Sequence, residues 1–463
     1  MSRGGEARQM ERLAREGARQ LLSRCLPLQR GDVLALFWDS TTKRVAGLLR
    51  EAARDLDLTL RERYVPVRQQ VAFRGELGAD DLSAINEAMA IVTCLSSSSR
   101  ATAFRRELLK VGPNFNNYFG HMPGASLAVL AQAASVDFEA AETVCDDFAL
   151  ALSRARLAAV RTYDFDRRGR PVREHRLDLA LTERRLPITS TGVIPRGTWG
   201  NIPGGEVFVA PSEGLANGVF SLSGAFLNFV FPPGSSLHLI FEGGALVRFE
   251  GKGAAVETFE KLMGRARRHG GAHYRQLAEL GIGVNSGVRQ LTGSPLLDEK
   301  CAGTAHIAIG DNKRYGGSNE SNIHEDFITR CPSIELDGKP ILKLGENVFD
   351  PEGWRDSIFR SERWNPFPDT SAYLAKDRNM RAIRVNGSAL QVHQEVASGR
   401  ICRYTIGDRH SSPLLAALYQ MLPERVSGIC ERARLDLGIP REIVVRGLEI
   451  LRDHGLANEQ QHA

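Results

Sequence analysis

Apolar positions near the start of the chain repeat with a helical spacing. Between residues 6 and 25, Met10, Leu13, Ala14, Ala18, Leu21 and Leu22 fall near a 3.6-residue period, which predicts an amphipathic helix. GDVLALFWD, residues 31–39, is a short apolar run behind a glycine turn and predicts a strand. TTKRVAGLLREAARDL and LTLRERYVPV continue the pattern as helix and strand, and AMAIVTCLS and FRRELLKVG repeat it. Such alternation predicts an open α/β domain with a largely parallel sheet. From about residue 128 to 160 the pattern is helical, and RTYDFDRRGRPVREHRLDLAL then reads as strand, turn and strand.

Beyond residue 186 the apolar period shortens. EVFVAP, GVFSLSGAFLNFVFP, SLHLIFEGGALVRFEG and TAHIAIG are dense in β-branched and aromatic residues, with one amphipathic helix, AAVETFEKLMGRARRHG, among them. Gly243-Gly244 and Asp337-Gly338 sit where tight hairpin turns are expected. The chain therefore divides into an α/β domain (1–185), a strand-rich α+β domain (186–350), a linker (351–380) and a small C-terminal module (381–463).

Composition narrows the function classes. Sixty Lys and Arg against 55 Asp and Glu leave a net charge of +5 on 463 residues, too small and too dispersed for a nucleic-acid footprint. Seven scattered cysteines without a CxxC pair fit free thiols. With neither a signal peptide nor an 18-residue apolar run, a cytoplasmic protein without a membrane partner is expected.

The polar chemistry collects between residues 201 and 326. His324 and Asp326 are two apart and share one face of an extended segment. In TAHIAIG, His306 lies on one face with Thr304 and Ala308, and on its own it reads equally as a core histidine. Glu206 follows two glycines at the head of an apolar strand, and Glu279 lies within AELGIGVN. Carboxylates in such settings need a partner or a metal. Glu299 sits beside Lys300, so a structural salt bridge is its plain alternative. Six oxygen and nitrogen donors exceed one tetrahedral zinc and suit two ions that share a water, the chemistry of aminopeptidases. Elsewhere, SSSSR at 96–100 reads as a polar turn and Asp39 as a helix cap, and no rival site stands out.

NIPGGEVFVAP, ELGIGVN, DEK followed by GTAHIAIGDN, and GGSNESNIHEDF resemble, in that order, the thermophilic-type metallo-aminopeptidases, the aminopeptidase T or M29 family. The resemblance extends over roughly residues 10 to 350. It implies a dinuclear zinc, cobalt or manganese centre held by Glu206, Glu279, Glu299, His306, His324 and Asp326. Glu279 moves a proton, Tyr315 is the candidate catalytic tyrosine, and a homodimer acts on a peptide or aminoacyl substrate. Dihydroxypyridine ring-opening dioxygenases resemble the same peptidases and bind one ferrous ion through two histidines and an aspartate, which His306, His324 and Asp326 would satisfy. A third reading is a peptide-binding protein that does not cut. The C-terminal strands and helices, ending in LEILRDHGL, resemble a winged-helix module that would hold a peptide or carrier partner.

Overall fold

VLALFW, residues Val33–Trp38, is apolar throughout, so it must be covered on both faces. It lies second in a five-stranded parallel sheet ordered Thr59–Tyr64, Val33–Trp38, Ala90–Cys94, Tyr118–His121 and Thr198–Asn201. The computed structural model describes residues 3–350, apart from 113–116, 183–184, 186, 195 and 289, together with the backbone of short strands between 384 and 411. The last strand of the parallel sheet comes from beyond residue 185, so the two main regions interleave. Helix Arg3–Gln20 crosses Leu127–Ala133 closely, and any side chain at Gly17 would overlap the Leu130 carbonyl.

Asp39 ends its strand as a cap. Its carboxylate accepts from Thr41 N at 2.8 Å, Ser96 N at 2.6 Å and Gln70 Nε2 at 2.7 Å. The serine run is a polar turn: Ser98 N donates to Ser96 Oγ at 3.2 Å, and the Arg105 guanidinium donates to Ser98 O at 3.1 Å.

The strand-rich region holds an eight-stranded and a seven-stranded sheet, built from antiparallel pairings. Both contribute to one core with helices Phe138–Arg154 and Ala254–His269. One local expectation changes and one is refined. The helical reading to residue 160 fails at Ala155, where the backbone turns extended; Leu157–Phe165 is a strand because Ala158 and Val160 are drawn into that core. GVFSLSGAFLNFVFP, expected to be strand-rich, is divided between the two sheets. Asn217–Leu222 belongs to the larger sheet, while Ala225–Phe226 and Phe229–Val230 belong to the smaller. At the crossing, Gly224 N donates to Ile328 O at 3.0 Å, an approach that leaves no room for a side chain.

The hairpins turn where expected. Phe241 and Glu242 pair with Leu246 and Ala245 about Gly243-Gly244, and Leu336 pairs with Lys339 about Asp337-Gly338. Val392–Ala397 and Arg400–Ile406 pair antiparallel. The expected linker and C-terminal helices fall outside the described residues. Among the described residues no helix is long and apolar enough to cross a membrane.

Phe226 is fully buried, with the rings of Phe229, Phe231, Phe259 and Phe327 at 5.7 to 6.2 Å. Phe226→Ala is expected to lower unfolding free energy by about 3–5 kcal/mol in a urea titration. A loss under about 1 kcal/mol would mean that this cluster does not join the sheet to its helix.

Candidate metal centre

Period-two alternation gives the seven-stranded sheet two unlike faces. Val207, Val209, Leu280, Ile282, Ala305, Ile307, Ile309 and Phe327 enter the core from Glu206–Val209, Leu277–Gly283, Thr304–Gly310 and His324–Arg330. The intervening positions hold Glu206, Glu279, His306, His324 and Asp326. Register then aligns them: Glu279 lies opposite Ala308 and Ala308 opposite Asp326, while Gly281 lies opposite His306 and Gly283 opposite Glu206. Donors thus alternate with glycine and alanine across neighbouring strands, and the long side chains lean over the small ones. A Cβ at Gly281 would overlap the His306 ring, so that glycine is what lets the imidazole lie flat.

Glu299 and Lys300 arrive from a loop rather than a strand. The short helix Pro295–Asp298 ends there, and the backbone from Glu299 to Cys301 crosses directly over Gly283, where a Cβ would meet the Cys301 carbonyl. Asn285 fixes the crossing: its N donates to Lys300 O at 2.8 Å and its Nδ2 to Gly204 O at 2.6 Å.

All six sequence-derived donors meet in one cluster, through two different kinds of contact. Glu279 joins the histidines, with Oε1 at 3.1 Å from His306 Nε2 and Oε2 at 3.3 Å from His324 Nε2. Asp326 Oδ1 is 3.4 Å from His324 Nε2. Donor atoms of Glu279, His306 and Asp326 all lie within 4.8 Å of one another. Glu206 and Glu299 are joined instead by a cation of the protein: Lys300 Nζ is 2.7 Å from Glu206 Oε1 and 2.6 Å from Glu299 Oε2, and its side chain has no exposed surface. The salt bridge noted as the plain alternative for Glu299 is therefore formed. Tyr315 reaches the cluster, its ring 5.4 Å from that of His324 and 5.1 Å from that of Phe208.

Two features suit a cation. His324 Nδ1 lies 2.7 Å from Asp311 O, and since a carbonyl only accepts, Nδ1 carries the hydrogen. Nε2 then faces the two carboxylates, the orientation a ligating histidine needs. Glu206 Oε2 and His306 Nδ1 are buried without a hydrogen-bond partner, and Glu206 Oε2 lies 3.8 Å from His306 Nε2. A buried carboxylate oxygen rarely stays unpartnered, so a cation beside His306 would complete it.

Protonation follows the same geometry. Burial alone would lower the His306 pKa, but the hydrogen bond and charge of Glu279, with Glu206 and Asp326, raise it to about 9. His324 is likewise raised against burial, by Tyr315, Asp326 and Glu279. Burial favours a neutral Asp326, yet His324 and His306 hold it well below the usual carboxylate range. Burial pushes Glu299 up to about 8 against the pull of Lys300. Lys300 stays charged, because Glu206 and Glu299 outweigh its desolvation.

The sequence profile of the 2,5-dihydroxypyridine 5,6-dioxygenase family, NicX, matches residues 178–349, the segment that carries all six donors. Among solved structures, the 2,5-dihydroxypyridine dioxygenase of Pseudomonas putida KT2440 is similar at TM-score 0.55 and 17% identity, over 73% of this chain and 97% of that one. Wild-type AmpT of Thermus thermophilus is similar at TM-score 0.53 and 19% identity, over 74% of this chain and all of that one. At these identities the structures establish a shared fold. No curated protein sequence matches the chain.

Gly281→Ala is expected to displace His306 and weaken metal binding about 10- to 100-fold, while circular dichroism stays unchanged. Unaltered affinity would mean that the ring position does not matter. Metal must also displace the protons held by His306 and His324, that on His306 up to about pH 9. Affinity is therefore expected to rise by about a hundredfold per pH unit from mildly acid solution, a factor of about ten for each proton released, and to rise less steeply above about pH 9. Calorimetric titrations at several pH values measure this, and a flat profile would contradict it.

Proposed function

We propose that this chain is an oxygenase that uses one divalent ion, ferrous iron in class, to open a hydroxylated nitrogen-heteroaromatic ring. The observation that carries this reading is Lys300. A second metal bridging Glu206 and Glu299 would have to lie where the ammonium already sits, 2.7 and 2.6 Å from them. What remains is His306, His324 and Asp326 with Glu279 beside them, a donor set of the two-histidine, one-carboxylate kind that leaves coordination positions open. The dihydroxypyridine dioxygenase profile over this segment supports the same choice and suggests the substrate class.

Bound iron would supply the one-electron chemistry that lets dioxygen react with a closed-shell aromatic diol. Both oxygen atoms enter the ring-opened product, so no external reductant is required. His306 and His324 would ligate the ion through Nε2 from adjacent strands, and Asp326 would supply the anionic ligand. Glu279 touches both imidazoles and limits their rotation. Glu299, hydrogen-bonded to Asp326 and pushed up to about 8 by burial, would hold a proton for the substrate hydroxyl. Tyr315 provides aromatic surface beside His324, and Phe208 packs against Tyr315.

A dinuclear aminopeptidase is the second reading, favoured by the three glutamates and by the likeness to AmpT. The two separate in one pair of assays. Iron(II)-loaded protein is expected to consume oxygen with 2,5-dihydroxypyridine and to leave aminoacyl anilides intact. His306→Ala should lower uptake by at least about 10³-fold, about 4 kcal/mol of barrier. Hydrolysis of anilides by zinc-, cobalt- or manganese-loaded protein, with no oxygen uptake, would overturn the proposal. Lys300→Met checks the premise by elemental analysis: metal content is expected to rise by one ion per chain. Without metal that variant should lose about 3–5 kcal/mol of stability, because two buried carboxyl groups lose their counter-ion.

A further inference from the structure

The eight-stranded sheet contains a second cluster of donors that shares no residue with the first. Strands Pro171–Ala180 and Asn217–Leu222 are neighbours in that sheet, yet they pair only at Asp178–Asn217 and Leu177–Gly218. Beyond that point the ladder opens, and polar side chains fill the gap. Asp164, near the end of Leu157–Phe165, reaches through it to His238 on Leu237–Glu242, although two strands intervene in the sheet order. His238 Nε2 lies 2.8 Å from Asp164 Oδ1. His175, on Pro171–Ala180, places its Nε2 3.0 Å from Asp164 Oδ2. The two imidazole rings are only 4.3 Å apart.

We propose that Asp164, His175 and His238 form a second metal site, one that takes a divalent transition ion of the zinc class. The three donor atoms lie within 4.8 Å of one another. The 2.8 and 3.0 Å contacts are hydrogen bonds in the metal-free chain, about half an ångström short of the roughly 3.4 Å between tetrahedral ligands each about 2.1 Å from an ion, so small side-chain shifts would open the cluster around one. Two nitrogens and one carboxylate suit a borderline ion better than calcium or magnesium, which take oxygen ligands. Ser221 and Ser236 hydroxyls donate to Asp164 Oδ1 at 2.8 and 2.7 Å and fix the carboxylate, as outer hydrogen bonds do around bound metals. His175 is buried, whereas Asp164 and His238 each keep 19% of their side chain exposed, so an ion can enter and water can complete its coordination. Such an ion would cross-link strands that the backbone ladder leaves unjoined, which assigns the site to holding the sheet rather than to turnover.

The test uses the full chain, stripped with chelator and titrated with Co(II) and then Zn(II). His238→Gln is expected to lower bound metal by one equivalent relative to the unsubstituted chain, to abolish one set of Co(II) visible bands, and, after loading with iron(II) instead, to leave oxygen uptake unchanged. In a chain carrying His306→Ala and His324→Ala, one equivalent should still bind and Zn(II) should raise the melting temperature. Adding His175→Gln should remove both effects. Equal metal content in the unsubstituted chain and in His238→Gln would overturn the site and leave Asp164 as the centre of a metal-free hydrogen-bond network. If the double variant fails to fold, the comparison of His238→Gln with the unsubstituted chain decides alone.

Discussion

A lysine without exposed surface is the constraint from which the metal centre follows. Desolvating an ammonium costs several kcal/mol unless carboxylates compensate it, and Lys300 has two in contact. Those two are Glu206 and Glu299, which would otherwise be free to hold metal. Charge explains why they are satisfied by the protein itself. The Lys300 ammonium, together with a proton on Glu299, brings two positive charges to that half of the cluster, the charge of one divalent ion. In the other half, His306 and His324 carry protons that a single divalent ion can replace without changing the net charge. Under the proposed reading, one divalent ion would take the place of those two protons beside the fixed charge of Lys300.

The sheet makes this arrangement possible. Every donor strand devotes its alternate positions to the core, so the opposite face is free to carry polar groups without breaking the hydrophobic layer. Glycine does the rest at two places. Gly281 admits the His306 ring against the strand, and Gly283 admits the loop bearing Glu299 and Lys300. Larger residues there would separate the donors by more than hydrogen-bonding distance. Coordination chemistry in this fold therefore depends on where side chains are missing as much as on where they are present.

Much of this was legible from residue order alone. Alternation in TAHIAIG set His306 on one face of its strand and the HxD spacing set His324 and Asp326 on one face of theirs, while turn dipeptides placed both hairpins; the register between the two strands supplied the rest. The salt bridge of Lys300 to Glu299 was legible as the plain alternative, but its burial and its contact to Glu206 were not, because a lysine in a DEK turn ordinarily points to water; here the loop is folded inward by Asn285. The crossing at Ser223-Gly224 was hidden because the apolar pattern runs on unbroken while the chain changes sheets. Asp164, His175 and His238 escaped notice for a related reason. Asp164 and His238 are 74 positions apart, and only an opening in the backbone ladder brings them together.

The number of ions in the first centre tests the account most directly. Anomalous diffraction from crystals of the unsubstituted chain, grown with iron(II) under anaerobic conditions, would locate them. One anomalous peak is expected among Glu279, His306, His324 and Asp326, with Lys300 Nζ still between Glu206 and Glu299. Two peaks in that centre, with Lys300 displaced from the carboxylates, would contradict it.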